Sequence, residues 1–159
     1  MTTTAGIGWD SHRLVAGRPL ILGGVAIPHE FGLDGHSDAD VLAHAIIDAL
    51  LGAAALGDIG QHFPDTDERY RDADSMELLG SVVRTLAERG LRVAHVDATV
   101  VMERPKLAPH RDDIRARLAS GLEVTPEQVN VKASTGEGMG FVGRGEGVAA
   151  LAVATLRSA

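Results

Sequence analysis

The stretch Val148-Ala149-Ala150-Leu151-Ala152-Val153-Ala154-Thr155-Leu156 decides the fold. Nine residues without a charge, built from Val, Ala, Leu and Thr, read as a strand covered on both faces, and such a strand needs layers of structure around it. The chain upstream supplies them by alternating strands and helices, with no linker to mark a domain boundary. Residues 6–14, 92–102 and 129–133 read as strands. Residues 20–27 are two short apolar runs around Gly23-Gly24, a hairpin or bulge signal that Pro28 closes. A helix is expected over residues 39–56: Val41, Leu42, Ala45, Ile46, Ala49, Leu50 and Ala53 recur at helical spacing, while Asp40, His44 and Asp48 fall in one line. Asp74 and Glu77 form a capping-box pattern for a helix ending at Gly90. Pro109 suits the first turn of a helix that Gly121 terminates. The expected architecture is one domain over residues 1–159, α/β (α+β), with a sheet packed against helices.

Composition narrows the function. Of 159 residues, 45% are hydrophobic, which excludes a disordered chain. Fifteen Lys and Arg stand against 22 Asp and Glu, a formal charge of -7, with no basic run. That balance argues against nonspecific binding to nucleic acid or to an anionic membrane. Cysteine is absent, so disulfides, thiol nucleophiles and zinc ribbons are excluded, and any metal must be held by nitrogen and oxygen. No segment reaches the roughly 18 apolar residues of a membrane span. The opening MTTTAGIGWD has no basic stretch leading into an apolar one, so neither secretion nor plastid import is supported. A cytoplasmic protein is the expectation.

Four constellations carry candidate chemistry. Asp10-Ser11-His12 puts a carboxylate and an imidazole on one side of a strand; with His44 they form a three-ligand divalent-metal set, or Asp10 and His12 are only a strand-end hydrogen-bonded pair. Asp48, one turn beyond His44, either orients it or is an ordinary surface acid. His36-Ser37-Asp38 is too compact for a catalytic triad; it reads as a helix cap whose free amides also suit an anion. The acidic loop Asp58-Ile59-Gly60 with Phe63-Pro64-Asp65-Thr66-Asp67 could hold a cation, but on its own reads better as turn-forming. Ser134-Thr135-Gly136-Glu137, running into Gly143-Arg144-Gly145-Glu146-Gly147, offers hydroxyls, amides and a guanidinium to a phosphate.

With these segments, the whole chain resembles the 2-C-methyl-D-erythritol 2,4-cyclodiphosphate synthase family. The likeness runs from Gly6-Ile7-Gly8-Trp9-Asp10-Ser11-His12 to the last strand. It is most specific in His36-Ser37-Asp38-Ala39-Asp40-Val41, in Ala53-Ala54-Ala55-Leu56-Gly57-Asp58-Ile59-Gly60 and then in Phe63-Pro64-Asp65-Thr66-Asp67, and Val129-Asn130-Val131-Lys132-Ala133 with Gly143-Arg144-Gly145-Glu146-Gly147 supply the second half. It implies a homotrimer with active sites between subunits. By that likeness Asp10, His12 and His44 hold zinc or another divalent cation. Glu137 binds a second cation, Mg²⁺ or Mn²⁺, that bridges the substrate diphosphate. His36 and Thr135 are the implied catalytic side chains. Asp10, His12, His36 and Ser37 meet substrate at the phosphates, with Asp38 in support. Asp58, Ile59, Gly60, Phe63, Asp65 and Asp67 surround the methylerythritol part. Met102, Pro105, Lys106 and Ala108 belong to a cytidine pocket, and Ser134 and Thr135 hold phosphate from the adjacent subunit. Phe141 and Arg144 complete the substrate-binding set, Arg144 near a trimer axis whose cavity can take an isoprenoid phosphate. The implied reaction is an intramolecular phosphoryl transfer that turns 4-diphosphocytidyl-2-C-methyl-D-erythritol 2-phosphate into the cyclic diphosphate and CMP. Four features depart from the family pattern: bulky Trp9, polar Ser11, Gly136 in place of a hydroxyl residue, and the large, charged Met102-Glu103-Arg104.

Overall fold

Five strands form one sheet in the computed structural model, which describes residues 1–159. Across it they run β4 (Phe31–Leu33), β1 (Thr3–Ala16), β7 (Gly147–Ser158), β5 (Leu91–Val101) and β6 (Val129–Ser134). Neighbours are antiparallel except β5 and β6, which are parallel. A parallel pair needs a crossover, and α4 (Arg111–Leu122) supplies it. β2 (Leu20–Leu22) and β3 (Val25–Ile27) form a separate hairpin. Its turn residues Gly23 and Gly24 both have positive φ, 59° and 76°, as a two-residue I′ turn requires.

α1 (Val41–Ala53), α3 (Ser75–Glu88) and α4 cover one face of the sheet. α1 is buried nearly all round, because it is wedged between β1, β7 and α3. It touches β1 through backbone: a Cβ at Gly6 or Gly8 would overlap the carbonyls of Ala49 and Ala45. On β7, Val148, Ala150, Ala152, Ala154 and Leu156 point into this core. The expectation of cover on both faces therefore holds for one face only within a single chain. Leu151 and Val153 on the other face keep 36% and 45% exposure, beside Ile7 and Trp9 of β1 at 70% and 53%. Every major helix lies on the inner side.

Other differences have local causes. α1 is shorter than expected because Ala39 and Ala55 adopt left-handed φ of 57° and 56°, which ends the helix at each side. Gly121 lies inside α4 rather than after it. A Cβ there would stand 2.8 Å from Met76 Cε, so the glycine serves helix packing, and Glu123 in the left-handed region closes the helix. Asp74 caps α3 through Met76 N–H, without the reciprocal Glu77 contact. β4 and the one-turn helices α2 (Ile59–His62) and α5 (Gly140–Gly143) lie in segments expected as loops. No helix is long and apolar enough to cross a membrane.

Candidate metal centre and substrate cleft

Alternation along β1 turns Gly6, Gly8, Asp10 and His12 toward α1. The glycines let the helix approach, and His44 on α1 then reaches the strand. Asp10 Oδ2 lies 2.8 Å from His12 Nε2 and 3.1 Å from His44 Nδ1, and the two imidazole nitrogens are 3.3 Å apart. All three side chains are largely buried. His12 Nδ1 is 2.8 Å from the Asp34 carbonyl, which only accepts, so Nδ1 carries a hydrogen and Nε2 is left to face the centre. Burial opposes both charges here. The imidazole contacts nevertheless hold the Asp10 carboxyl below its ordinary value, and Asp10 and the Asp34 carbonyl raise His12 above its own. Two nitrogens and a carboxylate oxygen thus converge on one point that favours positive charge. This donor set fits Zn²⁺ and leaves a fourth position open toward solvent.

That open side is a cleft of about 400 Å³, also lined by His36, Ser37, Ile59, Gly60, Phe63 and Asp65. Its walls are built by caps and turns. Asp40, fully buried, caps α1 through Ala43 N–H and ties down the hairpin by accepting from Gly23 and Gly24. Burial pushes its carboxyl up to about 6 against those three donors. Asp48 does not meet His44; its Oδ1 accepts from Ile59 N at 3.0 Å and holds α2 in place. Asp58 caps α2 with a reciprocal Gln61 contact, so the acidic loop is turn-forming at this position. The Asp67 carboxylate grips Arg69, and its carbonyl lies 2.9 Å from His36 Nε2, leaving Nδ1 as the uncommitted nitrogen of that ring. Tyr70 packs edge-on against Phe63.

The remaining expected residues gather elsewhere. Met102, Pro105, Lys106, Ala108, Ser134 and Thr135 line a second pocket that shares no residue with the first. The bulk of residues 102–104 does not crowd it. Met102 packs into the core, and Glu103 turns back so that its Oε1 accepts from Gly136 N at 2.6 Å and Gly138 N at 3.5 Å. This explains Gly136, where a Cβ would come within 2.9 Å of the Met139 carbonyl. Glu137 follows in the left-handed region, φ 53°. Phe141 lines a third depression with Ser11 and Glu146, and Arg144 pairs with Glu146 at 2.7 Å beside it. Ser75 carries no motif of its own, and Glu103 stands out in the sequence only as part of the charged Met102-Glu103-Arg104 departure.

Nitrogen and oxygen donors able to hold a metal, under a polar cleft on a one-sided α/β layer, are the arrangement expected of a metal-dependent enzyme. The chain belongs to the YgbB family, which it matches over residues 3–157. It is 61% identical over 154 residues to the 2-C-methyl-D-erythritol 2,4-cyclodiphosphate synthase of Salinibacter ruber (strain DSM 13855 / M31), covering 97% of this chain and 98% of that protein. Its fold matches the bifunctional IspDF from Campylobacter jejuni with a TM-score of 0.96 at 42% identity, covering 99% of this chain and 43% of that one. It also matches a 2C-methyl-D-erythritol-2,4-cyclodiphosphate synthase in a CDP-bound form, with a TM-score of 0.89 at 39% identity, over 96% and 99% of the two chains.

Proposed function

We propose that the protein cyclises 4-diphosphocytidyl-2-C-methyl-D-erythritol 2-phosphate to 2-C-methyl-D-erythritol 2,4-cyclodiphosphate and CMP. The observation that carries this reading is the convergence of Asp10 Oδ2, His12 Nε2 and His44 Nδ1 at the foot of the cleft that also presents His36 and Ser37. A divalent cation held by Asp10, His12 and His44, zinc in our reading, supplies Lewis acidity toward a phosphate oxygen, and Mg²⁺ or Mn²⁺ held by Glu137 neutralises the diphosphate.

A 2-phosphate oxygen bonds to the β-phosphorus while the bond from that phosphorus to the α,β-bridging oxygen breaks; CMP leaves with that oxygen and its electron pair. The nucleophile is already an anion, so no side chain needs to remove a proton. The chain's task is to fold the substrate back on itself and keep water away. His36, oriented by the Asp67 carbonyl, and the buried Ser37 hold phosphate from one side, and Ser134 and Thr135 from the other. Asp58, Ile59, Gly60, Phe63, Asp65 and Asp67 surround the methylerythritol part, with the Phe63–Tyr70 pair as its apolar wall. Met102, Pro105, Lys106 and Ala108 receive cytidine.

Completion of the site calls for a homotrimer. The open apolar face of β1 and β7 supports this reading, as does the separation of the two pockets in one chain. Phe141 and Arg144 then border the axial cavity, where an isoprenoid phosphate fits the nearby apolar ring and guanidinium. The deciding experiment incubates the substrate with the purified protein, Zn²⁺ and Mg²⁺ and follows ³¹P resonances. CMP with a cyclic diphosphate is the expected result; a linear hydrolysis product, or no turnover, overturns the proposal.

A further inference from the structure

His44 is held from behind by Ser75, which Asp38 holds in turn, and both lie outside the cleft. Ser75, the fully buried first residue of α3, places its Oγ 2.8 Å from His44 Nε2. The same hydroxyl makes a very short contact with Asp38 Oδ1. Asp38 accepts further bonds from Ser75 N–H at 3.0 Å and Asp40 N–H at 3.1 Å, so its carboxylate is turned onto the start of α3. An ionised carboxylate only accepts, and a serine hydroxyl has one hydrogen to give. That hydrogen goes to Asp38, and Ser75 therefore meets His44 with a lone pair. His44 Nε2 must then carry the ring hydrogen. Ser37 Oγ, 3.3 Å from the same nitrogen and itself taking the Ala39 N–H, is a longer second acceptor. Nδ1 is left bare toward the centre; in the metal-free protein the hydrogen there is that of His12 Nε2, which lies 2.8 Å from Asp10 Oδ2 and 3.3 Å from His44 Nδ1, and the 3.1 Å approach of Nδ1 to Asp10 Oδ2 is a contact between two acceptors.

We propose that Ser75 and Asp38 are positioning residues that lock His44 as the Nε2–H tautomer and aim Nδ1 at the metal. Outer partners of this kind orient the ring, raise its basicity as a ligand and are worth about 10–100-fold in metal affinity. The inference deepens the metal reading of this centre, and its two measurements separate the failure of each idea.

The first measurement needs no metal. In the metal-free wild-type protein, ¹H–¹⁵N spectra of the imidazoles should show His44 protonated at Nε2, with a slowly exchanging proton that Ser75→Ala loses. Protonation at Nδ1, or a Nε2 proton indifferent to Ser75→Ala, overturns the proposal. The second is zinc affinity by chelator competition. Ser75→Ala should bind zinc about 10–100-fold more weakly, and Ser75→Thr, which keeps the hydroxyl, should restore it. A folded Ser75→Ala protein with wild-type affinity overturns the proposal. Should Ser75→Ala fail to fold, Asp38→Asn replaces it. That amide must point an N–H at one of the two Ser75 donors, so proton protection and zinc affinity should both fall, and unchanged values refute the idea. A wild-type protein that binds no zinc yet shows the protected Nε2 proton sinks the metal reading and leaves the locked tautomer standing.

Discussion

Replacing Gly8 by Ala tests whether contact between α1 and β1 builds the metal centre. An ideal Cβ at Gly8 overlaps the Ala45 carbonyl oxygen and stands 2.8 Å from Ala49 N and 2.9 Å from Ala45 C. All three are helix backbone and cannot rotate away. Restoring ordinary separations of about 3.5 Å pushes α1 from β1 by roughly 1.5–2 Å at the Ala45 carbonyl. Overpacking of this kind costs about 1–3 kcal/mol. His44 rides on the displaced helix, so Nδ1 loses its 3.1 Å contact with Asp10 and its 3.3 Å contact with His12. Misplacement by only about 1 Å already lowers turnover on the order of 10²-fold. Urea unfolding gives the stability change, and chelator competition on the folded protein gives the zinc affinity. Gly52→Ala is the control: on the same helix, a Cβ there finds nothing nearer than 3.8 Å, and the exchange should be neutral or stabilising by up to about 1 kcal/mol. A Gly8→Ala protein matching wild type in both urea midpoint and zinc affinity would refute this account of how the site is assembled.

Four further outcomes are expected. His44→Ala and His12→Ala should each weaken zinc binding by more than the roughly 100-fold ceiling of an outer partner, as read by chelator competition; retention of wild-type affinity places the metal elsewhere. Without metal, the raised His12 value contributes stability in full below the ordinary histidine pKa of 6.5 and loses it as pH rises through the raised value. The lowered Asp10 value contributes above 3.8 and loses it as pH falls through the lowered one. Zinc must displace the His12 proton, so its affinity should climb from pH 6 to 8 with proton release, measured by calorimetry in buffers of different ionisation enthalpy; a flat profile contradicts this. Trp9→Ala removes roughly half of an aromatic side chain's ~200 Å² from the proposed interface, about 2.5 kcal/mol per subunit, and sedimentation equilibrium should show dissociation toward monomer. Glu103→Ala leaves the Gly136 N–H without its charged acceptor, a loss of about 1.5 kcal/mol; Mn²⁺ binding at Glu137 should weaken about tenfold, and Glu103→Gln should recover most of it.

Residue patterns revealed some parts of this site and left others hidden. The two-residue period of a strand placed Asp10 and His12 on one side, and a line of polar residues four apart drew attention to His44. The same line left Asp48 open between orienting His44 and being an ordinary surface acid, because a carboxylate that serves a neighbouring backbone N–H looks identical in sequence to one that serves a histidine. His12 is oriented by the carbonyl of Asp34, and a main-chain atom leaves no trace in residue identity. Ser75 lies 31 positions from His44 and reads as an ordinary helix start. In the fold, residues 148–156 were legible as a core strand, yet Leu151 and Val153 look the same whether helices or a second subunit cover them. β4 escaped because three residues, one of them glycine, carry too little pattern to register.

Charge supports pairing the two pockets in the proposed site. The cleft at the metal centre is lined by Asp10, Asp65 and three histidines, and by no Lys or Arg. A diphosphate entering there meets acidic walls on a chain whose formal charge is already -7. A cation held by Asp10, His12 and His44 would answer part of that repulsion, since it would turn the same carboxylate from an obstacle into a ligand. The pocket that holds Lys106, Arg111, Ser134 and Thr135 offers the positive charge and hydroxyls that the cleft lacks. No residue lines both pockets, and the uncovered apolar face of β1 and β7 gives the chain a surface on which to meet its copies. In the proposed homotrimer, assembly through that face would supply the missing complement: one subunit would contribute metal ligands, and a neighbour the basic phosphate and nucleotide subsite. In that proposed assembly, burial of Trp9 and Leu151 and neutralisation of the substrate would be two consequences of a single association.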